Sequence, residues 1–268
     1  MCGIAGIVGE DSSLKSKCKK MLDMIQHRGP DDLKIINNKS FAGGTARLSI
    51  EALSNGLQPI EDNNYIIGFN GEIFNYKKII SKFNLNKKIC NSEISVLLEL
   101  FKIKKEKFVN YLNGQFAIFI FDKKKKKIFL FRDPYGIRPL YYHKNKKNFY
   151  FSSEMKSIVK VSNYNFSVDI KSITQTAFFW TNIGNQTSIK NIEQVEPGHF
   201  AIYKDKKIYH KKYFIDPLIK NKNNKKNEVD PKDVFNNLSK SVKNQLQSEV
   251  GYACAISGGI DSAAICSA

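Results

Sequence analysis

The sequence predicts a mixed α/β domain with much antiparallel sheet, followed by the beginning of a second α/β domain. Short apolar runs alternate with polar turns over the first ~215 residues, which is typical of antiparallel strands. Two stretches repeat apolar residues at intervals of three and four, as amphipathic helices do. A polar segment then precedes a shorter last region. The 268 residues are enough for one large domain and part of another.

The apolar runs and the periodic stretches define the elements that we expect in the first region. Strands are predicted over residues 4–8, 65–69, 115–121, 128–131, 149–152 and 199–203. Helices are predicted over residues 14–26 and 93–101. Five consecutive lysines at 123–127 separate two of the strands, and a charged hairpin connection is the simplest interpretation.

The composition changes after residue 216. Residues 217–230 are polar, rich in Lys and Asn and without periodicity, so we expect a linker. Pro231 begins a helical pattern that runs to about residue 247, with proline in the favoured first turn. An apolar run at 252–256 predicts a strand, and the glycine-rich turn at 257–262 precedes a further helix start. This order is typical of an α/β nucleotide-binding domain, of which 231–268 would be only the truncated start.

The net charge of +18 raises the question of a nucleic-acid partner. Of the 43 basic residues 39 are lysines, which are scattered or lie in turn-like runs. We interpret them as a solvated surface, with a polyanion partner as the alternative.

The cysteine, histidine and hydropathy patterns also limit the classes of function that the chain can have. The five cysteines form no CxxC pair, and the four histidines lack the spacing of metal ligands, so we expect no disulfide and no metal site. No apolar run approaches the ~20 residues of a membrane span, and the first residues lack the basic region of a signal peptide. We therefore expect a cytoplasmic protein with no membrane or nucleic-acid partner.

Arginine is rare in this chain and is therefore informative. Arg28, Arg47, Arg132 and Arg138 are the four arginines. Lysine cannot replace arginine where a planar donor must bind a carboxylate through two hydrogen bonds. All four lie within the motifs described below.

Cys2 directly follows Met1. Removal of Met1, which we expect because the second side chain is small, exposes the α-amine of Cys2. An N-terminal nucleophile uses its own amine as the general base for its side chain, and an α-amine titrates near pH 8. A buried cysteine at the start of a strand is the alternative. Gly3 and Gly6 favour a nucleophile, because glycine within a strand indicates close approach of a ligand or another backbone.

Four motifs in the first region occur in an order that resembles a known family. They are MCGIAGIV at 1–8, HRGPDD at 27–32, ARLSI at 46–50 and FNGEIFNY at 69–76. They are similar to the glutaminase domain of class II glutamine amidotransferases, which are Ntn hydrolases. The resemblance spans residues 1–213 and also includes residues 132–142, which we interpret as structural, and 151–157. It implies a four-layer αββα glutaminase domain that needs no cofactor and releases glutamate and ammonia from glutamine.

The resemblance also implies roles for individual residues. Cys2 would attack the side-chain amide of glutamine, and Asn70 and Gly71 would form the oxyanion hole, where each donor is typically worth a few kcal/mol. Arg47 would bind the α-carboxylate of glutamine through two hydrogen bonds. Glu72 would contact the α-ammonium group. The wall beside Arg47 would consist of Leu48, Ser49 and Ile50.

One position departs from the family pattern. The family places an aspartate, which binds the α-ammonium of glutamine, two residues before a glutamate. This chain has Asn91 there, two residues before Glu93. An asparagine still accepts a hydrogen bond but lacks the charge, which is worth roughly 1 kcal/mol more. We therefore expect weaker glutamine binding or less discrimination at the α-amine of the substrate.

The last motif, SGGIDS, resembles the pyrophosphate loop of ATP pyrophosphatases, although a plain strand-to-helix turn is an alternative. Backbone N–H groups of such a loop bind phosphates at a helix N-terminus. The ATP-binding residues would be Ile256, Ser257, Gly258, Gly259, Asp261 and Ser262. After a glutaminase domain with Cys2, this motif resembles asparagine synthetases, in which ATP with Mg²⁺ adenylylates aspartate and ammonia then displaces AMP.

The sequence thus predicts a glutaminase domain at 1–216, a linker at 217–230 and the incomplete start of an adenine nucleotide α hydrolase-like synthetase domain at 231–268. We expect the chain to hydrolyse glutamine but not to make asparagine. Two alternatives stay open: amidation of another carboxylate, such as a surface-polysaccharide sugar acid, and a non-catalytic fragment. The oligomeric state, a homodimer included, is not readable from the sequence.

Overall fold

The computed structural model describes residues 1–220 and 230–268. The strands are Gly3–Val8 (β1), Asp32–Asn38 (β2), Phe41–Arg47 (β3), Ile60–Glu61 (β4), Tyr65–Ile73 (β5), Gly114–Asp122 (β6), Lys127–Arg132 (β7), Tyr141–Lys144 (β8), Phe149–Ser152 (β9), Glu193–Gln194 (β10), His199–Lys204 (β11) and Lys207–Lys212 (β12). The α-helices are Leu14–Asp23 (α1), Tyr76–Lys82 (α2), Glu93–Lys104 (α3), Met155–Val161 (α4), Ile170–Phe179 (α5), Pro217–Lys220 (α6), Pro231–Gln245 (α7) and Ile260–Ser267 (α8). Gln26–Arg28 and Lys105–Tyr111 are 3₁₀ helices.

The strands form two antiparallel sheets of six strands each. The first sheet has the order β10-β8-β9-β1-β3-β2, and the second has the order β12-β11-β7-β6-β5-β4. Their facing sides enclose a core of aromatic and aliphatic side chains. Phe41 of the first sheet stacks on Phe121 of the second with 4.4 Å between ring centroids. Burying each such side chain is worth roughly 1.5–3 kcal/mol, so this core joins the two sheets firmly.

Helices cover the outer face of each sheet. Helices α1 and α4 pack on the first sheet through Met21, Leu22 and Ile158, all fully buried. Helix α3 packs on the second sheet through Leu97 and Phe101. The resulting order of layers is helix, sheet, sheet, helix, which confirms the predicted four-layer αββα fold.

The six strands and the two helices predicted in the first region all form; β9 has its predicted bounds, and the other elements have at least one changed end. Helix α1 stops at Asp23 and a 3₁₀ turn follows at Gln26–Arg28, whereas β5 and α3 extend beyond their predicted ends. The lysines at 123–126 connect β6 to β7, and Asp122 pairs with Lys127, the first residue of β7, so the predicted charged hairpin connection forms.

The region after residue 216 only partly follows the prediction. Helix α7 forms as expected, and residues 217–220 of the predicted linker form α6, whereas 221–229 lie outside the described residues. The predicted strand at 252–256 is wrong, because these residues have no strand beside them within the described structure to complete a ladder. Their apolar side chains are exposed, for example 68% of Ile256. None of the helices in the described ranges is long and apolar enough to cross a membrane.

Candidate active site

The ends of β1, β3 and β5 surround a cavity of about 70 Å³. Pairing of Gly3 with Ala46 brings the residue before β1 next to the last residue of β3. The sequence-predicted residues that line the cavity are Cys2, Arg47, Leu48, Ile50, Asn70, Gly71 and Glu72. The fold thus brings together residues from three separate motifs.

Cys2 is held at the cavity by contacts on both sides. Its Sγ accepts a hydrogen bond from the backbone N–H of Leu48 at 3.4 Å. Its carbonyl oxygen accepts one from Nε of Arg28 at 3.1 Å, and Arg28 in turn contacts Glu154 at 3.1 Å. Burial raises the pKa of the Cys2 thiol, so the thiol is neutral at pH 7 and needs a base to become a nucleophile. Burial also lowers the pKa of the terminal amine of Met1, which favours a neutral, basic amine at this end of the chain.

Asn70 is fully buried, and neither Oδ1 nor Nδ2 of its side chain has a hydrogen-bond partner within the described structure. Leaving a buried polar group without a partner costs about 1–3 kcal/mol. An amide that lines a cavity beside a cysteine and has no partner among the described residues is therefore suited to binding a ligand atom there.

Gly71 has a φ of +150°, and a Cβ at this position would overlap the carbonyl oxygen of Gln115 on β6. The next strand therefore approaches the backbone of Gly71 more closely than a side chain would permit. This close approach explains why the cavity wall contains a glycine directly after Asn70.

Arg47 is buried and lines the cavity, but its Nη atoms already have partners. Nη2 donates to the carbonyl oxygens of Glu51 at 3.1 Å and Ala52 at 2.9 Å, and Nη1 lies 3.3 Å from a carboxylate oxygen of Asp32. Arg47 thus organises the loop that follows β3. Its predicted contact with a substrate carboxylate stays a prediction.

Three carboxylates lie at the cavity: Glu51, Glu72 and Glu93. The pKa of Glu93 is raised to about 8, chiefly by burial and also by the nearby Glu51 and Glu72, and this rise outweighs the lowering effect of the hydrogen bond from the N–H of Ile73. Burial also raises the pKa of Glu72. This acidic side of the cavity is suited to a cationic group. Sequence reasoning named Glu72 but gave no role to the other two.

Asn91 and Ser49 lie next to the cavity without lining it. The side chain of Asn91 is exposed, whereas the following Ser92 is buried and lines the cavity. The backbone N–H of Ser49 donates to Asp31 at 2.7 Å, between two residues that do line it. The predicted contacts of both residues with glutamine stay predictions.

Arg138 is a cavity residue that the sequence analysis placed in a structural segment. It is 8% exposed, lines the cavity, and its Nε has no partner within the described residues. Asp133 shapes the loop around it by accepting hydrogen bonds from the backbone of Arg138 and Ile137, each at 3.0 Å. The rarity of arginine in this chain was the signal that could have identified it.

The residues of the predicted phosphate loop lie together before α8. Gly258 has a φ of +83°, and Gly259 is the N-cap residue of the helix. The hydroxyl oxygens of Ser257 and Ser262 are 3.0 Å apart. These residues are largely exposed. The described part of the chain contains no group of three or more His, Cys, Asp or Glu side chains that could hold a metal ion.

Comparison with known families matches the region that contains this cavity. The family described as "Glutamine amidotransferase domain" matches residues 1–214. The chain belongs to this glutamine amidotransferase family. A second family, described as "Asparagine synthase", matches residues 233–268.

Curated relatives cover both matched regions. The chain is 32% identical over 284 residues to asparagine synthetase [glutamine-hydrolyzing] 2 of Bacillus subtilis (strain 168), covering 99% of the chain and 38% of that protein. It is 34% identical over 282 residues to asparagine synthetase [glutamine-hydrolyzing] 1 of the same organism, covering 100% of the chain and 43% of the relative. A putative asparagine synthetase [glutamine-hydrolyzing] 2 of Methanocaldococcus jannaschii is 34% identical over 292 residues, with 99% and 56% covered. The chain thus spans about half or less of most of these relatives.

A solved structure shares the fold of this chain. The glutamine phosphoribosylpyrophosphate amidotransferase from B. subtilis, complexed with ADP and GMP, superposes with a TM-score of 0.60 at 18% identity. The superposition covers 80% of this chain and 50% of the other. The amidotransferase fold predicted from the sequence is therefore confirmed.

Proposed function

We propose that this chain is the glutaminase part, with the first residues of the synthetase part, of a glutamine-hydrolysing asparagine synthetase. Residues 1–216 form the glutaminase domain, 217–230 the linker and 231–268 the start of the synthetase domain. The proposal rests on the cavity, which places Cys2 beside the buried amide of Asn70, a group without a hydrogen-bond partner among the described residues. The two family matches, in this order along the chain, and the names of the relatives support it.

In the proposed reaction, Met1 has been removed and the amine of Cys2 takes the proton of the thiol. The thiolate attacks the side-chain carbonyl carbon of glutamine, and the carbonyl π electrons move to its oxygen. When this tetrahedral intermediate collapses, its C–N bond breaks, the leaving nitrogen takes the proton from the amine, and ammonia departs. Water then attacks the thioester on Cys2, and glutamate and the free thiol result. Burial leaves the Cys2 thiol neutral at pH 7, so the reaction depends on this proton transfer to a base.

Asn70 and Gly71 stabilise the oxyanion of this tetrahedral intermediate. They also stabilise the oxyanion of the second one, which forms when water attacks the thioester. The amide of Asn70 is buried and has no partner within the described structure, so its donor is free when the substrate arrives. A donor that is fixed in place before the reaction needs no reorganisation as the charge develops, and one such donor is worth about 10²–10³ in kcat.

Charged side chains select glutamine among amides. Arg47 binds the α-carboxylate through Nη1, in place of its 3.3 Å contact with Asp32, while Nη2 keeps its bonds to the loop after β3. Leu48, Ser49 and Ile50 form the adjacent wall. Glu72 binds the α-ammonium group, with Asn91 as a weaker partner than the aspartate of the family. Glu51 lies beside Glu72 and strengthens the negative potential there, whereas Glu93, with a pKa of about 8, is largely uncharged at pH 7.

The residues before α8 would serve the second half of the reaction. Ile256, Ser257, Gly258, Gly259, Asp261 and Ser262 form the loop that would bind the phosphates of ATP, with aspartate as the acceptor. Mg²⁺ would neutralise charge on those phosphates, and it is commonly held through phosphate oxygens and water rather than by a protein cage. Amidation of a sugar acid is less favoured, because these relatives are named as asparagine synthetases.

Release of glutamate from glutamine by the purified chain tests the proposal. We expect glutamate release from the wild type after Met1 removal, verified by N-terminal sequencing. The Cys2→Ala variant should lose at least about a thousandfold in rate, because the nucleophile is gone. Cys254→Ala is the matched control, since Cys254 is exposed and does not line the cavity. An inactive wild type with a free Cys2 amine, unchanged by Asn91→Asp, would contradict the proposed hydrolysis.

A further inference from the structure

The segment after α7 binds the loop that forms one wall of the cavity. We call residues 50–56 the pocket loop. The backbone N–H of Glu249 donates to the carbonyl oxygen of Ile50 at 2.9 Å. The carboxylate of Glu249 accepts hydrogen bonds from the backbone N–H groups of Ala52 at 3.0 Å and Leu53 at 3.2 Å. Glu249 therefore binds three peptide groups of the pocket loop.

The same loop is held from its other side by Arg47. The guanidinium donates to the carbonyl oxygens of Glu51 and Ala52 at 3.1 and 2.9 Å, while the carboxylate of Glu249 accepts from the N–H groups. An arginine and a glutamate thus fix the two sides of consecutive peptides. Charge-assisted hydrogen bonds are roughly twice as strong as neutral ones.

The conformation of the pocket loop needs such support. Ala52 has a φ of +53°, in the left-handed region that costs a residue with a Cβ about 1–2 kcal/mol. Ile50, Glu51, Ala52 and Gly56 line the cavity, so the position of this loop sets the shape of the glutamine site. Loss of the support would let the strained turn relax and open the wall.

A second contact anchors the same segment. Nε2 of Gln247 donates to the carbonyl oxygen of Phe74, just beyond β5, at 2.6 Å. Glu249 lies eight residues before Ser257 of the predicted phosphate loop. The path from the phosphate loop to the glutamine cavity is therefore short and passes through Glu249.

We propose that Glu249 is a positioning residue, whose carboxylate holds the pocket loop closed and makes glutamine binding depend on the segment that leads into the synthetase domain. This proposal rests on the proposed glutaminase function. Because Glu249 does not line the cavity, it acts on glutamine through the backbone of Ala52 and Leu53. Its removal should therefore change KM for glutamine more than kcat.

The kinetic test compares Glu249→Ala and Glu249→Gln with a matched control. Asp205→Asn removes an exposed carboxylate in the turn between β11 and β12, where a φ of +49° suits asparagine. We expect Glu249→Ala to raise KM for glutamine about tenfold, with kcat within about threefold of the wild type. Glu249→Gln should give a smaller rise, because its amide oxygen keeps one acceptor. An unchanged KM, or a loss confined to kcat, would overturn the proposal.

Hydrogen exchange of the pocket loop tests the same contact without catalysis. The amides of Ala52 and Leu53 should exchange about tenfold faster in Glu249→Ala than in the wild type, and at the wild-type rate in Asp205→Asn. Unchanged exchange in Glu249→Ala would overturn the proposal. If the wild type releases no glutamate, the proposed function fails, and exchange alone then decides whether Glu249 holds the loop.

Discussion

At the residue scale, the burial of the Asn70 side chain indicates that this residue has a function. A fully buried amide without a partner in the described structure is costly for stability, so its retention points to a task other than folding. Asn75, five residues later, shows the contrast. Its side chain donates to the carbonyl oxygen of Tyr111 and accepts from the N–H of Asn113, both at 2.9 Å.

This contrast gives a paired prediction. Asn70→Ala should lower kcat for glutamine hydrolysis about 10²–10³-fold with a smaller change in KM, because it removes an oxyanion donor. Asn75→Ala should instead lower the free energy of unfolding by about 1–2 kcal/mol, because it removes two satisfied hydrogen bonds. Steady-state kinetics and urea unfolding of both variants check the outcome. The oxyanion role of Asn70 is contradicted if kcat of Asn70→Ala stays within tenfold of the wild type.

At the element scale, β5 shows how a strand end supplies the cavity wall. Gly71 and Phe116 pair across β5 and β6, and the carbonyl of Gln115 leaves no room for a Cβ on Gly71. Gly184 offers a comparison, because its φ of +77° is also positive but a Cβ added there would meet no atom of the described residues within 4 Å.

We therefore expect Gly71→Ala to destabilise the fold more than Gly184→Ala. Gly184→Ala should cost about 1–2 kcal/mol, from backbone strain alone. Gly71→Ala should cost several kcal/mol, because β5 must also separate from β6 at the cavity. Thermal unfolding of the two variants measures the difference. Equal losses in Tm would show that the approach of Gln115 does not restrict this position.

The elements that could be predicted from the sequence are those whose pattern is local. Apolar runs predict β1, β6 and β7, because their burial shows directly in the residues. Strand β3, with the sequence FAGGTAR, lacks such a run and forms because β1 and β2 pair with its two edges. The strand expected at 252–256 fails for the opposite reason, since its pattern has no neighbour within the described structure.

The candidate site likewise contains some residues that the sequence could predict and others that it could not. Cys2, Arg47, Asn70 and Gly71 lie in recognisable motifs, and the structure brings them to one cavity. Arg138 lies in the loop between β7 and β8, which folds back to the cavity from a distant part of the sequence. No local sequence pattern shows this contact. The contact of Glu249 with Ala52 in the pocket loop joins residues 197 positions apart, so no local sequence pattern shows it either.

At the scale of the whole molecule, the sheets and helices that form the cavity also bury a carboxyl group. Glu93 begins α3 at the point where this helix meets the end of β5, and its Oε1 accepts from the N–H of Ile73 at 2.5 Å. Folding therefore takes a carboxyl with an ordinary pKa near 4.5 and gives it a pKa of about 8. The stability of the whole chain must then depend on pH through this group.

The raised pKa fixes the sign of this dependence. Below about pH 4.5 Glu93 is protonated in both states, so it imposes no ionisation penalty, and the penalty grows as the pH rises from 4.5 to about 8. Glu93→Gln keeps an oxygen for the N–H of Ile73 but cannot ionise. Relative to the wild type, its free energy of unfolding should therefore rise between pH 5 and pH 8 by a few kcal/mol. Urea unfolding at both pH values measures this difference, with Glu106→Gln in the 3₁₀ helix after α3, where the carboxylate is partly exposed, as the control. A difference that stays constant with pH would mean that Glu93 ionises normally in the folded protein.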